Sequence, residues 1–158
     1  MRNLETIKNR WEGNSLAKWY LARNPLRVAI NFIVIYLSRY LPFLSLKRFL
    51  YRLLGAKIGK NVSFGLGATL DIFFTDLVEI GDNTVIGYNS TILCHEFLVP
   101  ELRKGKVVIG KNVMIGANST ILAGVTIGDN ASVSAMSLVN RDVSDGECVQ
   151  GVPIRSVQ

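Results

Sequence analysis

Histidine is nearly absent from this chain of 158 residues: there is one, His95. Cysteine is scarce too, with only Cys94 and Cys148, far apart in sequence. That excludes a disulfide framework, and neither cysteine has metal-ligand spacing to a histidine, so no metal site is expected. A reducing, cytoplasmic setting is the default. Long apolar runs are missing as well. The longest uncharged stretch in the apolar region, Val28 to Ser38, has 11 residues, whereas a membrane-spanning helix needs about 20. It follows Arg23 and Arg27 as a signal peptide would, but no small-residue cleavage site comes after it. Such a segment suits lying on a membrane better than crossing one.

The formal charge of +6 conceals an asymmetry. Residues 1–60 hold 12 Lys/Arg against 2 Asp/Glu, a net +10, and residues 61–158 hold 6 against 10, a net −4. A uniformly basic nucleic-acid binder would not divide in this way, so nucleic acid is not an expected partner. The length suits one domain with a core and a smaller appendage.

The basic segment reads as helix. Asn24-Pro25 is an N-cap followed by proline in the first turn, where the missing N–H costs nothing. Arg27, Asn31 and Ser38, at offsets of 4 and 7, form one thin polar stripe on an otherwise apolar helix that Pro42 ends. Ser45 is expected to cap a second helix, with Leu46, Phe49, Leu50, Leu53 and Leu54 apolar, Lys47, Arg48 and Arg52 opposite, and Gly55 as its stop. Leu4, Ile7 and Trp11 suggest a shorter helix upstream, with Trp11, Trp19 and Tyr20 as interfacial aromatics. These apolar faces would either pack on the body or a neighbouring subunit, or anchor the protein in the plane of a membrane.

From Ile58 the period becomes six. Apolar residues, aliphatic except for Phe64, recur at Ile58, Phe64, Leu70, Ile80, Ile86 and Ile92, and again from Ile109 through Ile115, Ile121, Ile127 and Val133 to Val139. One aliphatic residue in six pointing to the axis of a triangular coil accounts for this pattern. A second, small residue faces inward near each corner: Val62, Ser90, Val113, Ser119, Val125, Ala131, Ser137. Gly-Asp-Asn and Gly-Lys-Asn supply turn residues that tolerate positive φ. Coils of three hexapeptides stack at sheet spacing, giving a solenoid of about four to five coils.

Several segments carry a resemblance: Val108-Ile-Gly-Lys-Asn-Val-Met-Ile-Gly-Ala-Asn-Ser-Thr-Ile-Leu-Ala-Gly-Val-Thr-Ile-Gly-Asp-Asn, then Val139-Asn-Arg-Asp-Val and Gly151-Val-Pro-Ile-Arg. They resemble the hexapeptide-repeat acyltransferases, in particular the maltose and galactoside O-acetyltransferase branch. The resemblance implies a mainly β fold, a left-handed parallel β-helix solenoid with an N-terminal α-helical segment. Residues 1–57 would be a basic amphipathic helical segment. Residues 58–158 would be the acyltransferase domain, with an excursion loop at 96–107.

It also implies acetyl-CoA as co-substrate and no metal. Zinc-dependent carbonic-anhydrase-like solenoids need three histidines at the site, and this chain has one. His95 stands where the repeat stops, beside the excursion. By resemblance it is the general base that takes the proton from an acceptor hydroxyl. Adjacent Glu96 is a candidate to orient the imidazole, and Cys94 is a small packing residue. The resemblance makes the Ala117 N–H the oxyanion donor and puts Ala135 against the pantetheine arm of CoA. Asn140 and Arg141 would lie further along, with Arg155 on the nucleotide phosphates. Met114 stands where relatives often carry tryptophan. Sites would lie between subunits of a homotrimer.

The expected activity is acetyl transfer to a hydroxyl of a saccharide, envelope glycan or glycolipid, in the cytoplasm or peripherally on the inner face of the cell membrane. N-acetylation of an amino sugar and a non-catalytic scaffold remain the alternatives. Asp71 and Asp76 are either sugar-binding or solvated.

Overall fold

A computed structural model of the protein describes residues 2–8 and 13–157. Trp11 lies outside them. Among the described residues, no helix is long and apolar enough to cross a membrane.

The period of six builds a left-handed parallel β-helix with three faces. One face stacks Lys57–Ile58, Val78–Ile80, Val107–Ile109 and Thr126–Ile127. The second stacks Ser63–Phe64, Val85–Ile86, Met114–Ile115, Ser132–Val133 and Cys148–Gln150, and the antiparallel Arg155–Ser156 closes it. The third stacks Thr91–Ile92, Thr120–Ile121 and Leu138–Val139. Register is in phase throughout, so Ile86 lies over Ile115 and Ile115 over Val133, and all three are buried. Each such aliphatic side chain contributes about 1.5–3 kcal/mol by leaving water.

The corners divide their labour. Positive φ falls on asparagine (Asn61, Asn83, Asn89, Asn112, Asn118 and Asn130) and, at one corner, on Met136, and the asparagine side-chain amides bond between coils, as from Asn112 to Asn130 at 3.1 Å. The glycine two places earlier answers a different constraint. A Cβ added to Gly116 would lie 2.3 Å from the backbone nitrogen of Ala135 in the next coil.

Helices α1 (Pro25–Ser38) and α2 (Leu44–Leu53) sit across the first coil. Asn24 caps α1 as its sequence indicates, accepting the Leu26 N–H at 2.9 Å. α2 is different: its N-cap is Phe43 without a side-chain bond, and Ser45 lies inside the helix, because the turn after Pro42 starts it two residues earlier.

The orientation of the helices follows from the solenoid's polarity. Many backbone N–H groups of each coil donate to carbonyls of the next, as Gly59 to Ile80 and Gly65 to Ile86, with the reverse direction at corners such as Asn83 to Lys60, so the first coil presents carbonyls such as those of Ile58 and Val62 outward. α2 supplies the donors. Lys47 Nζ donates to Gly65 O at 3.1 Å, Arg48 to Val62 O at 2.9 Å, and Arg52 to Ile58 O and Gly59 O at 2.9 and 2.7 Å. From α1, Asn31 donates to Ile72 O at 2.8 Å. The polar stripe Asn31–Ser38 is therefore buried and faces the solenoid, while most apolar side chains of both helices face away from it. Of the apolar residues, Ile35, Tyr51 and Leu54 pack on the chain's own body, while most of the broad apolar faces do not. The stacked carbonyl edge requires donors, and only the polar faces carry them.

The upstream segment is not helical where described. Glu5–Ile7 forms a strand antiparallel to Leu102–Lys104, which itself pairs with His95–Phe97. The hairpin that leaves the solenoid at His95 has a free edge, and an extended segment can satisfy it.

Candidate functional site

His95 opens the first strand of that hairpin, immediately after the buried Cys94. Burial, and then the Asp71 charge, push the Cys94 thiol well above its ordinary pKa, so it stays a packing thiol as its position suggests. Asp71 comes from the other break in the repeat, where the chain leaves the first coil after Leu70. Its side chain is completely buried. Oδ1 accepts the N–H groups of Phe73 and Phe74, each at 2.8 Å, and Oδ2 accepts that of Cys94 at 2.6 Å. The same Oδ2 stands 2.5 Å from His95 Nδ1. A carboxylate fixed by three backbone amides accepts the Nδ1 proton, which leaves the lone pair on Nε2.

Aromatic rings fix the imidazole plane. Phe73 and Phe97 each lie 4.8 Å from it edge-on, and Phe74 is 5.9 Å away. Trp19, from the 3-10 segment Ser15–Leu21, packs edge-on against Phe73 at 5.8 Å. The imidazole thus has a charged partner behind it and apolar walls beside it.

Glu96 is turned elsewhere. Its carboxylate pairs with Arg2, tying the N-terminal segment to the hairpin, and Asp71 occupies the place at His95. Adjacent strand residues point to opposite sides, which accounts for the divergence of Glu96 from His95. Asp76 pairs with Arg23 at 2.7 Å. Neither Asp71 nor Asp76 is a freely solvated carboxylate. Asp71, Phe73 and Phe97 are thus site residues that periodicity does not reveal. The only signal is that both non-repeating segments begin with a polar residue, Asp71 after Leu70 and His95 after Cys94.

A second locus lies on the second face. Ser134, Ala135, Met136, Gln150, Gly151, Val152, Pro153 and Arg155 line a cleft of about 400 Å³. Ala135 and Arg155 thus come together, whereas Asn140 and Arg141 do not line it. Arg155 is exposed, and its guanidinium has no protein partner among the described residues. Arg141 is engaged with Glu147 at 2.9 Å and Ser156 Oγ at 3.2 Å. That clip, with Ser156 and the Ser144 N–H, holds the Glu147 carboxyl down to about 2.

Ala117 stacks directly beneath Ala135 at a corner of the same face. At the neighbouring column of corners, aspartate carboxylates take the corresponding amides: Lys111 N–H bonds Asp129 at 2.7 Å and Asp129 N–H bonds Asp145 at 2.9 Å. Alanine cannot do this. The Ala117 N–H consequently has no acceptor among the described residues and is available to a ligand. His95 does not line this cleft, so one chain carries its two loci apart.

The bacterial transferase hexapeptide family (six repeats) matches residues 106–141, and the hexapeptide repeat of succinyl-transferase matches residues 77–93. Over 145 residues the chain is 53% identical to "Putative acetyltransferase YvoF" of Bacillus subtilis, covering 91% of this chain and 84% of that protein. The hexapeptide-repeat acetyltransferase VCA0836 of Vibrio cholerae, solved with acetyl coenzyme A, is similar in fold at a TM-score of 0.69 and 22% identity, covering 84% of this chain and 86% of that one. A galactoside acetyltransferase solved with coenzyme A gives a TM-score of 0.63 at 27% identity, covering 85% of this chain and 80% of that one.

Proposed function

This chain belongs to the hexapeptide-repeat acetyltransferases, and from that premise we propose that it moves the acetyl group of acetyl-CoA to a hydroxyl of a saccharide, envelope glycan or glycolipid. The observation that carries the proposal is the pairing of His95 with the buried Asp71. His95 Nε2 takes the proton of the acceptor hydroxyl as its oxygen attacks the thioester carbonyl. Asp71, a positioning residue, holds the ring and stabilises the imidazolium that forms. The Ala117 N–H donates to the tetrahedral oxyanion, a contribution of about 3 kcal/mol for a preorganised donor. On collapse the C–S bond breaks, and the thiolate of CoA receives the proton from His95.

Ala135 faces the pantetheine arm and Arg155 takes nucleotide phosphates, supported by the cleft they share. Asn140 lies further along the same path. Arg141 serves the donor site indirectly, by clipping the Arg155–Ser156 strand through Ser156. Glu96 serves the catalytic side by pinning the hairpin through Arg2. Because His95 and the cleft lie apart on one chain, the complete site forms between neighbouring subunits of a homotrimer, on the inner face of the cell membrane where acetyl-CoA is present. Residues 58–158 carry the chemistry, and residues 1–57 seat it and touch the membrane.

The test is thiol release from acetyl-CoA with hydroxyl and amino-sugar acceptors in parallel, followed by hydroxylamine treatment of the product. Acetyl recovered as a hydroxylamine-labile ester, and lost in His95→Ala, supports the proposal. A hydroxylamine-stable amide formed only from amino sugars contradicts it.

A further inference from the structure

Residues 13–70 contain nine Lys/Arg and no Asp/Glu. Of these cations, Arg23 and Lys57 form ion pairs, with Asp76 and Glu79. The others form none among the described residues, and Lys47, Arg48 and Arg52 are spent on neutral carbonyls of the first coil. A hydrogen bond to a carbonyl leaves the formal charge in place. This end of the protein is therefore a cationic body whose donors point inward.

The outward surface of the same body is apolar. Leu26 is 70% exposed, Leu37 63%, Phe43 64% and Leu53 62%, and Ile33 and Phe49 lie open beside them. Single exposed apolar residues are ordinary, but a contiguous face over two helices is not. The cause is visible in the fold: the solenoid's carbonyl edge takes the polar faces, so the apolar ones cannot also be buried against it. α1 has 14 residues, about 21 Å of helix, too short to span a hydrocarbon core of about 30 Å.

We infer that this face of α1 and α2 docks on an anionic lipid bilayer, with the helices lying in the plane of the interface. Charge selects the occupant. A second copy would bring one net-cationic body, with seven of its nine cations in no ion pair among the described residues, against another, whereas an anionic surface attracts that charge. Tyr36 and Tyr40, both on the exposed face, are amphipathic side chains suited to the headgroup level. The surface also leads to His95: Leu16 and Tyr20 are exposed in the 3-10 segment, whose Trp19 packs on Phe73, itself against His95. Docking would therefore present the general base to hydroxyls carried on membrane-anchored acceptors. Only that last consequence rests on the acetyltransferase reading. Vesicle binding is measured without turnover, so failure of one is distinguishable from failure of the other.

The full chain is floated with phosphatidylglycerol-containing vesicles and with phosphatidylcholine vesicles at low and high salt. Alongside it are floated Leu37→Glu and Phe49→Glu, each checked for an unchanged thermal melt, and all are sized by analytical ultracentrifugation. The expected result is flotation with anionic vesicles, reduced by salt, and at least about tenfold weaker partitioning for each variant. Wild-type protein left unbound at low salt would overturn the inference, as would variants that float like wild type. A smaller assembly in the variants would assign the face to a second copy instead and overturn it equally.

Discussion

His95 Nδ1 and Asp71 Oδ2 stand 2.5 Å apart, although 24 residues separate them in sequence and each lies where the hexapeptide repeat breaks. Stacking brings the two breaks together, since Thr69 bridges Thr91 on adjacent coils. If this pair is the acid–base machinery, Asp71→Asn would offer an amide N–H to Nδ1, reverse the tautomer and leave Nε2 protonated. A loss in kcat of about 10²–10⁴-fold is expected, with acetyl-CoA affinity retained. Steady-state kinetics together with a pH–rate profile checks this, because a purely structural lesion would not change the shape of the profile.

Arg155→Ala is expected to weaken acetyl-CoA binding about 10- to 100-fold, the worth of a charge-assisted phosphate contact, and Arg155→Lys by less. Removing Arg141 should weaken binding less than removing Arg155 but lower the melting temperature more, since its guanidinium joins Glu147 and Ser156. Binding titrations and thermal melts on the same preparations separate the two.

Lys47→Met keeps the stem of a fully buried side chain but removes the donor to Gly65 O and Arg39 O. Leaving those carbonyls unpaired should cost about 1–3 kcal/mol of stability. Burial lowers the Lys47 pKa, so folding disfavours the charged form, and this group's contribution to stability rises as pH climbs through the lowered pKa toward the unfolded value. Chemical denaturation of the variant, with acetyl-CoA affinity unchanged, is the check.

The Glu147 carboxyl is held from 4.5 down to about 2, by Arg141 first and then by Ser156 and the Ser144 N–H. A depressed carboxylate stabilises the fold above its unfolded pKa and loses that contribution as pH falls toward the folded one. The clip should therefore weaken between about pH 4.5 and 2, by no more than about 1 kcal/mol because Arg141 is partly open to water. Melting curves of wild type and Glu147→Gln should diverge at neutral pH and converge over that acidic window.

The rungs of the solenoid were legible because one aliphatic residue in six, from Ile58 to Val139, is the fold itself written in sequence. His95 was picked out by its place at a break, and Ala135 and Arg155 by motif resemblance; the structure sets His95 beside Asp71 and the other two on one cleft. Asp71 was not, since two irregular segments meet only after the coils stack. The facing of α1 and α2 was also hidden. Periodicity shows that Asn31 and Ser38 share a stripe, but the stripe turns inward only because the first coil leaves carbonyls unpaired. Similarly, Leu4 and Ile7 allow a helical spacing until the free edge of the hairpin at Leu102–Lys104 recruits Glu5–Ile7 as a strand.

The central claim is tested most directly by equilibrium titration of the purified protein with acetyl-CoA, run beside Arg155→Ala and His95→Ala. The account predicts saturable binding that Arg155→Ala weakens and His95→Ala leaves intact. Folded wild-type protein that binds no acetyl-CoA, or binding that is indifferent to Arg155, would contradict it.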